Sequence, residues 1–368
     1  MIRTAVIMAG GSGERFWPLS RKNRPKQLLA LTSEKMMIEE AIDRISPLIP
    51  LEHIYIFTSE ILQNPIREAL PELPPENVVA EPCKRNTAPC LAFAAVFLSE
   101  KYGVGESEIS MAVLTADHFI STSSQFIQTV DTALQYAENN PVLVTLGIPP
   151  VRPETGYGYI EVETQDSAPN SISPAISFRE KPNRDTALEF VRSGHFLWNS
   201  GMFFWRLDTF LRSISENLPA VGDLLSELRT AIREKTHIAC EGAIHEAKPV
   251  FEQFPDISID YGIMEKAGNV AVVRAGFLWD DVGSWDSLDR MHPLDDDGNV
   301  LKGKTVLIDA KNSTIINTSD KQVIALIGVE DIVVVATNDA ILVCPKDKAQ
   351  NVRQAVAALR ELGHDIHL

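Results

Sequence analysis

The chain reads TAVIMAGGSGERFWPLSR over residues 4–21 and PKQ over residues 25–27. The apolar run 4–8 is typical of a buried strand, and it leads directly into a glycine-rich turn. Such a turn brings backbone N–H groups against a phosphate. We therefore expect this turn to bind a nucleotide through Ala9, Gly10, Gly11, Ser12 and Gly13.

A cluster of cations follows the turn, although the whole chain carries a net charge of −16. Within residues 14–27 only Glu14 opposes them. This local excess of positive charge indicates a highly anionic ligand, such as a nucleoside triphosphate. The cations are Arg15, Arg21, Lys22, Arg24 and Lys26.

Two common glycine loops do not fit this stretch. The dinucleotide fingerprint requires a third glycine where the chain has Phe16, and the P-loop requires Gly-Lys-Ser/Thr where Glu14 follows Gly13. A third interpretation is a tight strand–helix turn without a ligand, since glycine is also a turn residue. The glycines alone do not explain the clustered cations, so we favour the phosphate site.

Length and composition limit the class of protein. At 368 residues the chain is long for one domain, so we expect a large core and a smaller module. Its acidic balance argues against nucleic-acid and anionic-membrane partners. No apolar run reaches the roughly 18 residues of a membrane span. The N-terminus enters the first strand at once, and we expect no removable signal peptide.

The four cysteines lack Cys-x-x-Cys spacing and have no ligand-like histidine pair beside them. We expect buried free thiols rather than a zinc site. Such thiols are typical of a protein in a reducing cytoplasm, which is the expected location. The cysteines are Cys83, Cys90, Cys240 and Cys344.

Residues 1–150 alternate short apolar runs with helical patterns. This alternation predicts an α/β fold of Rossmann type, with a mixed, mostly parallel sheet that binds ligands at the carboxyl ends of its strands. The expected strands are 4–8, 53–57, 77–80, 110–114 and 142–148, and the expected helices are 36–48, 60–70, 87–101 and 124–138.

Residues 151–295 continue the same unit with short strands rich in aromatic residues and with helices near 183–193, 207–217 and 220–234. A turn-rich seam at 295–299 precedes a small β module and a helix over 346–362. We therefore divide the chain into a catalytic domain, 1–295, and a C-terminal module, 296–368. The β runs of the module recur every eight to ten residues, at 305–308, 314–316, 323–327, 332–335 and 340–343.

Two aspartates are candidate metal ligands. Asp117 follows the run 110–114, which places it at a carboxyl strand end, and Asp281 lies in a turn that contains Gly283. Two separated carboxylates with substrate phosphates suit Mg²⁺, which keeps much of its shell as phosphate and water. Each aspartate could instead cap a helix or a turn. Asp280, directly before Asp281, is an alternative ligand.

The string Gly-Gly-Ser-Gly-x-Arg-Phe-Trp-Pro-Leu-Ser, followed by Pro-Lys-Gln, resembles the activation loop of the sugar nucleotidylyltransferases. It is most similar to that of the mannose-1-phosphate guanylyltransferases. The resemblance implies that Arg15 and Lys26 are catalytic cations on the triphosphate. It also implies that Asp117 and Asp281 bind the metal, with Asp281 the better match because Val-Gly follows it.

The string 178–182, FREKP, resembles the Phe-Val-Glu-Lys-Pro motif of that family. The resemblance implies that Lys181 is catalytic and holds the sugar phosphate. Arg179 departs from the usual apolar residue. The sugar-binding residues implied are Gly156, Tyr157, Gly158, Glu180, Asn199 and Asp260.

Residues 81–89, EPCKRNTAP, resemble the base-binding segment of the family. Glu81, Asn86 and Thr87 are the nucleotide-binding residues implied here. A carboxylate such as Glu81 would select guanine, which offers donors at N1 and N2. Asn86 and Thr87 could instead only cap the following helix.

The family also carries a short left-handed β-helix where this chain has its β module. Longer relatives append an isomerase domain, and we expect no isomerase activity from the sequence as given. The expected reaction transfers GMP from GTP to α-D-mannose 1-phosphate, with Mg²⁺ as cofactor. The alternatives are another hexose 1-phosphate and nucleotide pair, or a non-catalytic nucleotide sensor. A homodimer is expected because the β module offers an edge.

Overall fold

The computed structural model describes residues 1–163, 168–233 and 240–368. By internal contacts the chain forms a larger unit, Met1–Gly10, Ala41–Thr115 and Ile120–Trp279, and a smaller unit, Gly11–Glu40, Ala116–Phe119 and Asp280–Leu368. The boundary after residue 295 stays a prediction about domains.

The strands and helices of residues 1–150 are confirmed, with small shifts at their ends. In chain order the strands are β1 Ile2–Met8, β2 Ile54–Thr58, β3 Val78–Ala80, β4 Ile109–Thr115, β5 Phe119–Ile120, β6 Leu143–Ile148, β7 Gly158–Val162, β8 Ile172–Glu180, β9 Phe196–Arg206, β10 Val270–Arg274, β11 Trp279–Asp280, β12 Val300–Lys302, β13 Thr305–Lys311, β14 Thr314–Asn317, β15 Ile324–Glu330, β16 Ile332–Ala336 and β17 Ile341–Pro345.

The helices expected downstream of residue 150 are also present, except that the pattern over 220–234 is divided and the first part of 346–362 is a 3₁₀ segment. The helix over Cys240–Phe251 was not predicted. Residue 234 lies outside the described residues. The α-helices are α1 Met37–Ile45, α2 Glu60–Ala69, α3 Thr87–Tyr102, α4 Ser123–Asn139, α5 Arg184–Ser193, α6 Leu207–Asn217, α7 Pro219–Gly222, α8 Leu225–Arg233, α9 Cys240–Phe251 and α10 Val352–Glu361. A 3₁₀ segment, Lys346–Asn351, precedes α10.

A mixed sheet of order β3-β2-β1-β4-β9-β6-β10-β8-β7 is the centre of the larger unit. Strands β3, β2, β1 and β4 are parallel, as residues 1–150 predicted. Strand β9 inserts antiparallel between β4 and β6, which the sequence pattern did not indicate. The Rossmann-like α/β class is confirmed, and the antiparallel strands come from residues beyond 150.

Both faces of this sheet are buried. Val6 of β1 packs in a core cluster with Phe57 and with Phe93 of α3. Its neighbours Ala5 and Ile7 point to the opposite face and are also fully buried. Buried parallel strands end at one edge, and Met8 of β1 pairs with Thr115 of β4 at that end. The glycine turn and the Asp117 segment therefore leave adjacent strand ends.

The β module of the smaller unit is built from coils rather than from single strands. Strand β13 pairs in parallel with β15, while β12, β14 and β16 pair in parallel with one another. Paired positions such as Thr305 and Ile324 are 19 residues apart. One coil of the chain therefore contains two strands, one in each sheet. The strands that recur every eight to ten residues in the sequence are each half of such a coil.

Buried asparagines hold the turns of these coils. The Asn317 side chain donates to the carbonyls of Lys304 at 2.9 Å and Gln322 at 3.0 Å, and it accepts from Ser319 N. Asn299 bonds the Ala310 carbonyl and the Ser313 amide in the same way. Such amides satisfy backbone groups that a turn leaves without a strand partner.

None of the helices among the described residues combines the length and the apolar character that crossing a membrane requires.

Candidate active site

The glycine turn begins where β1 ends. Ala9 donates its amide to the Phe57 carbonyl at 2.8 Å and accepts from the Thr58 hydroxyl, so its backbone is fixed by the larger unit. Gly10 faces Glu81: a Cβ on this glycine would lie 3.4 Å from Glu81 Oε1. These contacts bring two of the predicted nucleotide-binding residues, Gly10 and Glu81, together.

Gly13 is the glycine of the turn that no other residue can replace without strain. Its φ is +60°, and a Cβ there would lie 2.5 Å from Lys26 Cβ and 2.6 Å from Lys26 N. A Cβ on Gly11 would meet nothing within 4 Å. The turn therefore needs a glycine at position 13 because it packs directly on the backbone of Lys26.

Beside Gly13 the smaller unit forms a cavity of about 380 Å³. The cavity contains cations and carboxylates together, which is the character expected of a site for metal-bound phosphates. Its lining residues are Ser12, Gly13, Glu14, Arg15, Phe16, Lys26, Asp117, His118, Asp281, Gly283 and Arg353. The cavity thus brings together every predicted catalytic and metal-binding residue except Lys181, which belongs to the larger unit.

Lys26 lines this cavity and bonds to both predicted metal-ligand segments. Its side chain is only 8% exposed, and its Nζ donates to Asp117 Oδ2 at 2.9 Å and to the Asp281 carbonyl at 2.6 Å. The ammonium therefore fixes the carboxylate of one predicted metal ligand and the backbone of the other.

The environment of Asp117 keeps it ionised. Burial raises the pKa of its carboxyl, but the charges of Lys26 and His118 and the hydrogen bond from Lys26 outweigh burial and hold the pKa below its usual range. A carboxylate that stays charged at neutral pH is what a divalent cation requires.

The structure separates the roles of Asp280 and Asp281. Asp280 is 4% exposed, and its carboxylate accepts from Arg290 Nε at 2.7 Å and from the Val282 amide at 2.9 Å. Asp281 instead lines the cavity. Asp280 is therefore committed to holding the turn, which leaves Asp281 as the candidate ligand.

The oxygens of Asp117 and Asp281 are a fitting donor set for Mg²⁺. No cluster of three or more His, Cys, Asp or Glu side chains that could hold a metal occurs among the described residues. Mg²⁺ commonly takes only one or two carboxylates and completes its shell with substrate phosphates and water. The arrangement fits a metal that arrives with a nucleotide better than a metal held by protein alone.

The clustered cations have different tasks. Arg15 and Lys26 line the cavity, and Arg15 Nη1 lies 3.4 Å from the Gly283 carbonyl. Arg21 instead donates to Asp339 at 2.8 Å and to the His367 carbonyl at 2.7 Å. Lys22 is exposed and does not line this cavity. The cluster in sequence is therefore not one cluster in space.

The predicted sugar residues all belong to the larger unit and are called here the sugar group. Asn199 Nδ2 donates to Asp260 Oδ1 at 2.7 Å. A Cβ on Gly158 would overlap Glu180 Oε1, so this glycine makes room for that carboxylate. Lys181 has a φ of +45°, is 66% exposed at its side chain and lies 3.8 Å from Glu180 Oε2.

The other members of the sugar group are Tyr157 and Gly156. The Tyr157 ring meets Trp198 and Trp279 edge to face, with centroids 5.2 Å and 5.1 Å apart. The Tyr157 carbonyl accepts from the Lys181 amide at 3.3 Å. Gly156 donates its amide to Glu154 Oε1 at 3.1 Å. Tyr157 therefore supports the turn that carries Lys181.

Burial shifts the pKa values of two carboxyls in the sugar group upward. Burial raises the pKa of Asp260, and it raises the pKa of Glu180 together with the neighbouring charge of Asp260. Lys181 opposes both shifts. The carboxyl oxygens of Glu180 and Asp260 can accept hydrogen bonds from hydroxyls.

The predicted base segment is also in the larger unit. Burial raises the pKa of Glu81 to about 7, although the charge of Lys84 lowers it. Asn86 is the N-cap of α3, with its side chain accepting from the Thr87 amide at 2.9 Å. The Thr87 hydroxyl accepts from the Ile259 amide at 2.7 Å. The capping role considered for Asn86 is thus present.

His118 and Arg353 are among the lining residues that sequence reasoning did not assign to the site. His118 is adjacent to Asp117 and could have been found from that position. Arg353 comes from the first turn of α10, and no motif in the sequence points to it.

Comparisons with known proteins identify the family of the chain. The nucleotidyl transferase family model matches residues 4–297, and the model for the MannoseP isomerase/GMP-like beta-helix domain matches residues 303–359. Alginate biosynthesis protein AlgA of Pseudomonas putida is 38% identical over 366 residues, which cover 97% of this chain and 72% of AlgA. A mannose-1-phosphate guanylyltransferase of Escherichia coli is 39% identical over 97% of this chain and 74% of its own.

Among solved structures, one described as mannose-1-phosphate geranyltransferase from Thermus thermophilus matches with a TM-score of 0.85 and 34% identity. The match covers 98% of this chain and 100% of that one. The chain belongs to the nucleotidyl transferase family and, within it, to the mannose-1-phosphate guanylyltransferases.

The bonds from Lys26 to Asp117 and to the Asp281 carbonyl lead to a prediction. Lys26→Met keeps the length of the side chain but removes the charge, so Asp117 loses its partner and the phosphates lose a cation. We expect nucleotidyl transfer to fall by about 100- to 1,000-fold, measured as kcat from pyrophosphate release. The control is Lys22→Met, which removes an exposed cation of the same sequence cluster. Equal losses in both variants would contradict a specific role for Lys26.

Proposed function

We propose that the protein transfers GMP from GTP to α-D-mannose 1-phosphate, which gives GDP-mannose and pyrophosphate. The observation that carries this proposal is the cavity of the smaller unit. There a glycine turn lies together with three Lys or Arg side chains and three carboxylates, and Lys26 is bonded to both aspartate segments. The names of the relatives in Escherichia coli and Thermus thermophilus support the same class of sugar phosphate.

The reaction needs no general base. The phosphate monoester of mannose is largely a dianion near neutral pH, because its second pKa is about 6. One of its oxygens attacks the α-phosphorus of GTP in line and forms the new P–O bond. The bond from the α-phosphorus to the bridging oxygen breaks, and pyrophosphate leaves with the electron pair. Alignment and neutralisation of charge therefore supply the catalysis.

Each proposed catalytic cation has one task. Arg15 and Lys26 would bind the triphosphate and stabilise charge that develops on the leaving oxygen. Lys181 would bind the attacking phosphate, since its exposed ammonium is a flexible point charge with three donors.

Magnesium is the cofactor that we propose, and Asp117 and Asp281 are the residues that would hold it. When bound, it would neutralise phosphate charge and restrict the phosphates to one geometry. Lys26 would keep the Asp117 carboxylate and the Asp281 backbone in place for it.

Guanine and mannose would be recognised by the larger unit. Ionised Glu81 would accept from guanine N1 and N2, next to Gly10 and close to Asn86 and Thr87 in sequence. The sugar hydroxyls would bond to Glu180, Asn199 and Asp260, of which Asn199 and Asp260 are hydrogen-bonded to each other. The family-specific Phe-Trp at positions 16 and 17 supports mannose over glucose.

A homodimer is the assembly that we propose. Strands β13 and β15 expose a row of apolar side chains, among them Val306 and Ile308, each 51% exposed, and Ile327, which is 68% exposed. Ile308 and Ile327 are paired across the two strands, so the row is continuous. A second copy of the same row is complementary to it under two-fold symmetry.

The reducing cytoplasm is the compartment that we propose. Cys83, Cys90 and Cys344 are free thiols, and burial raises the pKa of all three. Inert, protonated thiols suit a protein that is not exposed to oxidants.

A matrix of substrates tests the reaction. GTP, ATP, UTP and dTTP are each paired with mannose 1-phosphate and glucose 1-phosphate, with and without magnesium chloride, and pyrophosphate release is measured. We expect the GTP and mannose 1-phosphate pair with magnesium to give the highest kcat/KM. A higher value for UTP or dTTP with glucose 1-phosphate would support the other hexose pair, and no turnover in any well would support a nucleotide sensor.

The pKa of Glu81 predicts a pH dependence. Below about pH 7 its carboxyl is neutral and offers guanine fewer acceptors, so the affinity for GTP weakens as the pH falls through that value. Glu81→Gln should remove this step while keeping the shape of the side chain. Titration calorimetry from pH 5.5 to 8.5 measures both profiles, and any slope that they share belongs to the phosphates. Parallel profiles would argue against a contact between Glu81 and the base.

The homodimer is tested by Ile327→Asp, which places a charge in the apolar row. We expect sedimentation velocity to find a dimer for the wild type and a monomer for this variant, because burying an unpaired carboxylate is costly. Ile61→Asp is the control, since Ile61 is 58% exposed on α2. A monomeric wild type would overturn the proposal.

A further inference from the structure

The C-terminal helix α10 packs on the turn that carries Arg15. Val356 is 4% exposed and belongs to one core cluster with Phe16 and Trp17. Four residues further along, Arg360 Nη2 lies 3.2 Å from Glu14 Oε1. The helix is therefore anchored to the 14–17 segment by an apolar contact and by an ion pair.

Arg353 lies on the same face of this helix. It precedes Val356 by three residues and Arg360 by seven, and this spacing places all three side chains on one stripe. The anchored stripe directs Arg353 into the cavity that Lys26, Asp117 and Asp281 also line. The residue thus enters the phosphate site from a part of the chain that follows the β module.

The guanidinium of Arg353 is uncommitted. Across residues 1–163, 168–233 and 240–368, no side-chain or backbone acceptor takes a hydrogen bond from it. The neighbouring cations differ in this respect: Lys26 is paired with Asp117, and Arg360 is paired with Glu14. An arginine that faces a cavity with all of its donors available is suited to an anionic ligand.

Charge in the cavity supports the same conclusion. Besides Arg353, the charged lining consists of Arg15, Lys26, His118, Glu14, Asp117 and Asp281. Lys26 is already paired with Asp117, which leaves less positive charge available to a triphosphate. Arg353 supplies the additional positive charge, and its planar fork matches two phosphate oxygens at once.

We propose that Arg353 binds the β- and γ-phosphates of GTP, which leave as pyrophosphate. This inference rests on the function proposed above. Lys26 is bonded to the two aspartate segments, so it lies where the metal and the reacting α-phosphorus would be. Arg353 on α10 is then the cation available to bind the β- and γ-phosphates. The C-terminal module therefore contributes a substrate-binding residue to the nucleotide site.

The reverse reaction tests this assignment. In it, a pyrophosphate oxygen attacks the guanosine-side phosphorus of GDP-mannose, and mannose 1-phosphate leaves with the electron pair. For Arg353→Met we expect the KM values of pyrophosphate and GTP to rise by about 10- to 100-fold, while those of GDP-mannose and mannose 1-phosphate change less than about twofold. Arg353→Lys should recover part of the loss, because it keeps the charge without the fork.

Lys348→Met is the matched control, since it removes an exposed cation from the same module. Arg353 is itself exposed on a helix, so we expect the variant to melt at the wild-type temperature. Unchanged KM values for pyrophosphate and GTP would overturn the proposal, and so would an equal rise in the KM of mannose 1-phosphate.

Titration calorimetry with inorganic pyrophosphate alone separates this inference from the function on which it rests. A wild-type protein that makes no GDP-mannose would overturn the proposed function. A weaker affinity of Arg353→Met for pyrophosphate, relative to the wild type and to Lys348→Met, would still support the phosphate contact. Equal affinity in all three proteins would refute it.

Discussion

The ammonium of Lys26 connects the three chain segments that make up the smaller unit. Lys26 itself comes from Gly11–Glu40, Asp117 from Ala116–Phe119 and Asp281 from Asp280–Leu368. One 8% exposed cation thus bonds a carboxylate and a carbonyl that are far apart in sequence. Lys26 is buried while the Asp117 side chain is 35% exposed, so loss of the carboxylate would leave a desolvated ammonium without its charge partner. The arrangement of the cavity therefore depends on this residue, and so does the position of Gly13, which packs on its backbone.

Much of the fold could be predicted because its signals are local. Short apolar runs bounded by turn residues identify the strands, and Asp117 follows β4 by two residues, so the sequence alone places it at a strand end. The insertion of β9 between β4 and β6 could not be predicted, since pairing between distant strands leaves no periodic pattern. The number of residues in one coil of the β module could not be predicted either, because alternate strands have similar sequence patterns but belong to different sheets.

The roles of individual site residues also depend on contacts between distant parts of the chain. Sequence could not decide between Asp280 and Asp281, because the decision depends on Arg290, whose Nε lies 2.7 Å from Asp280. The run of cations alone does not separate Arg15 from Arg21, and only the resemblance to the family motif selected Arg15. The partners of Arg21 are Asp339 and the His367 carbonyl, more than 300 residues downstream. Arg353 lacked any signal, as a single arginine on an amphipathic helix is ordinary. Residue type predicted the chemistry, whereas long-range packing assigned the individual roles.

The 19-residue spacing of the β module has a consequence for how its length can change. Each coil bonds only to its neighbours, and its turn is closed by its own asparagine, as Asn317 illustrates. Insertion or deletion of one whole coil conserves every register, because the next strand returns to the same sheet. A change of half a coil would exchange the two sheets and turn buried side chains outward. Whole coils are therefore the units in which this module can be lengthened or shortened without exchanging its two sheets.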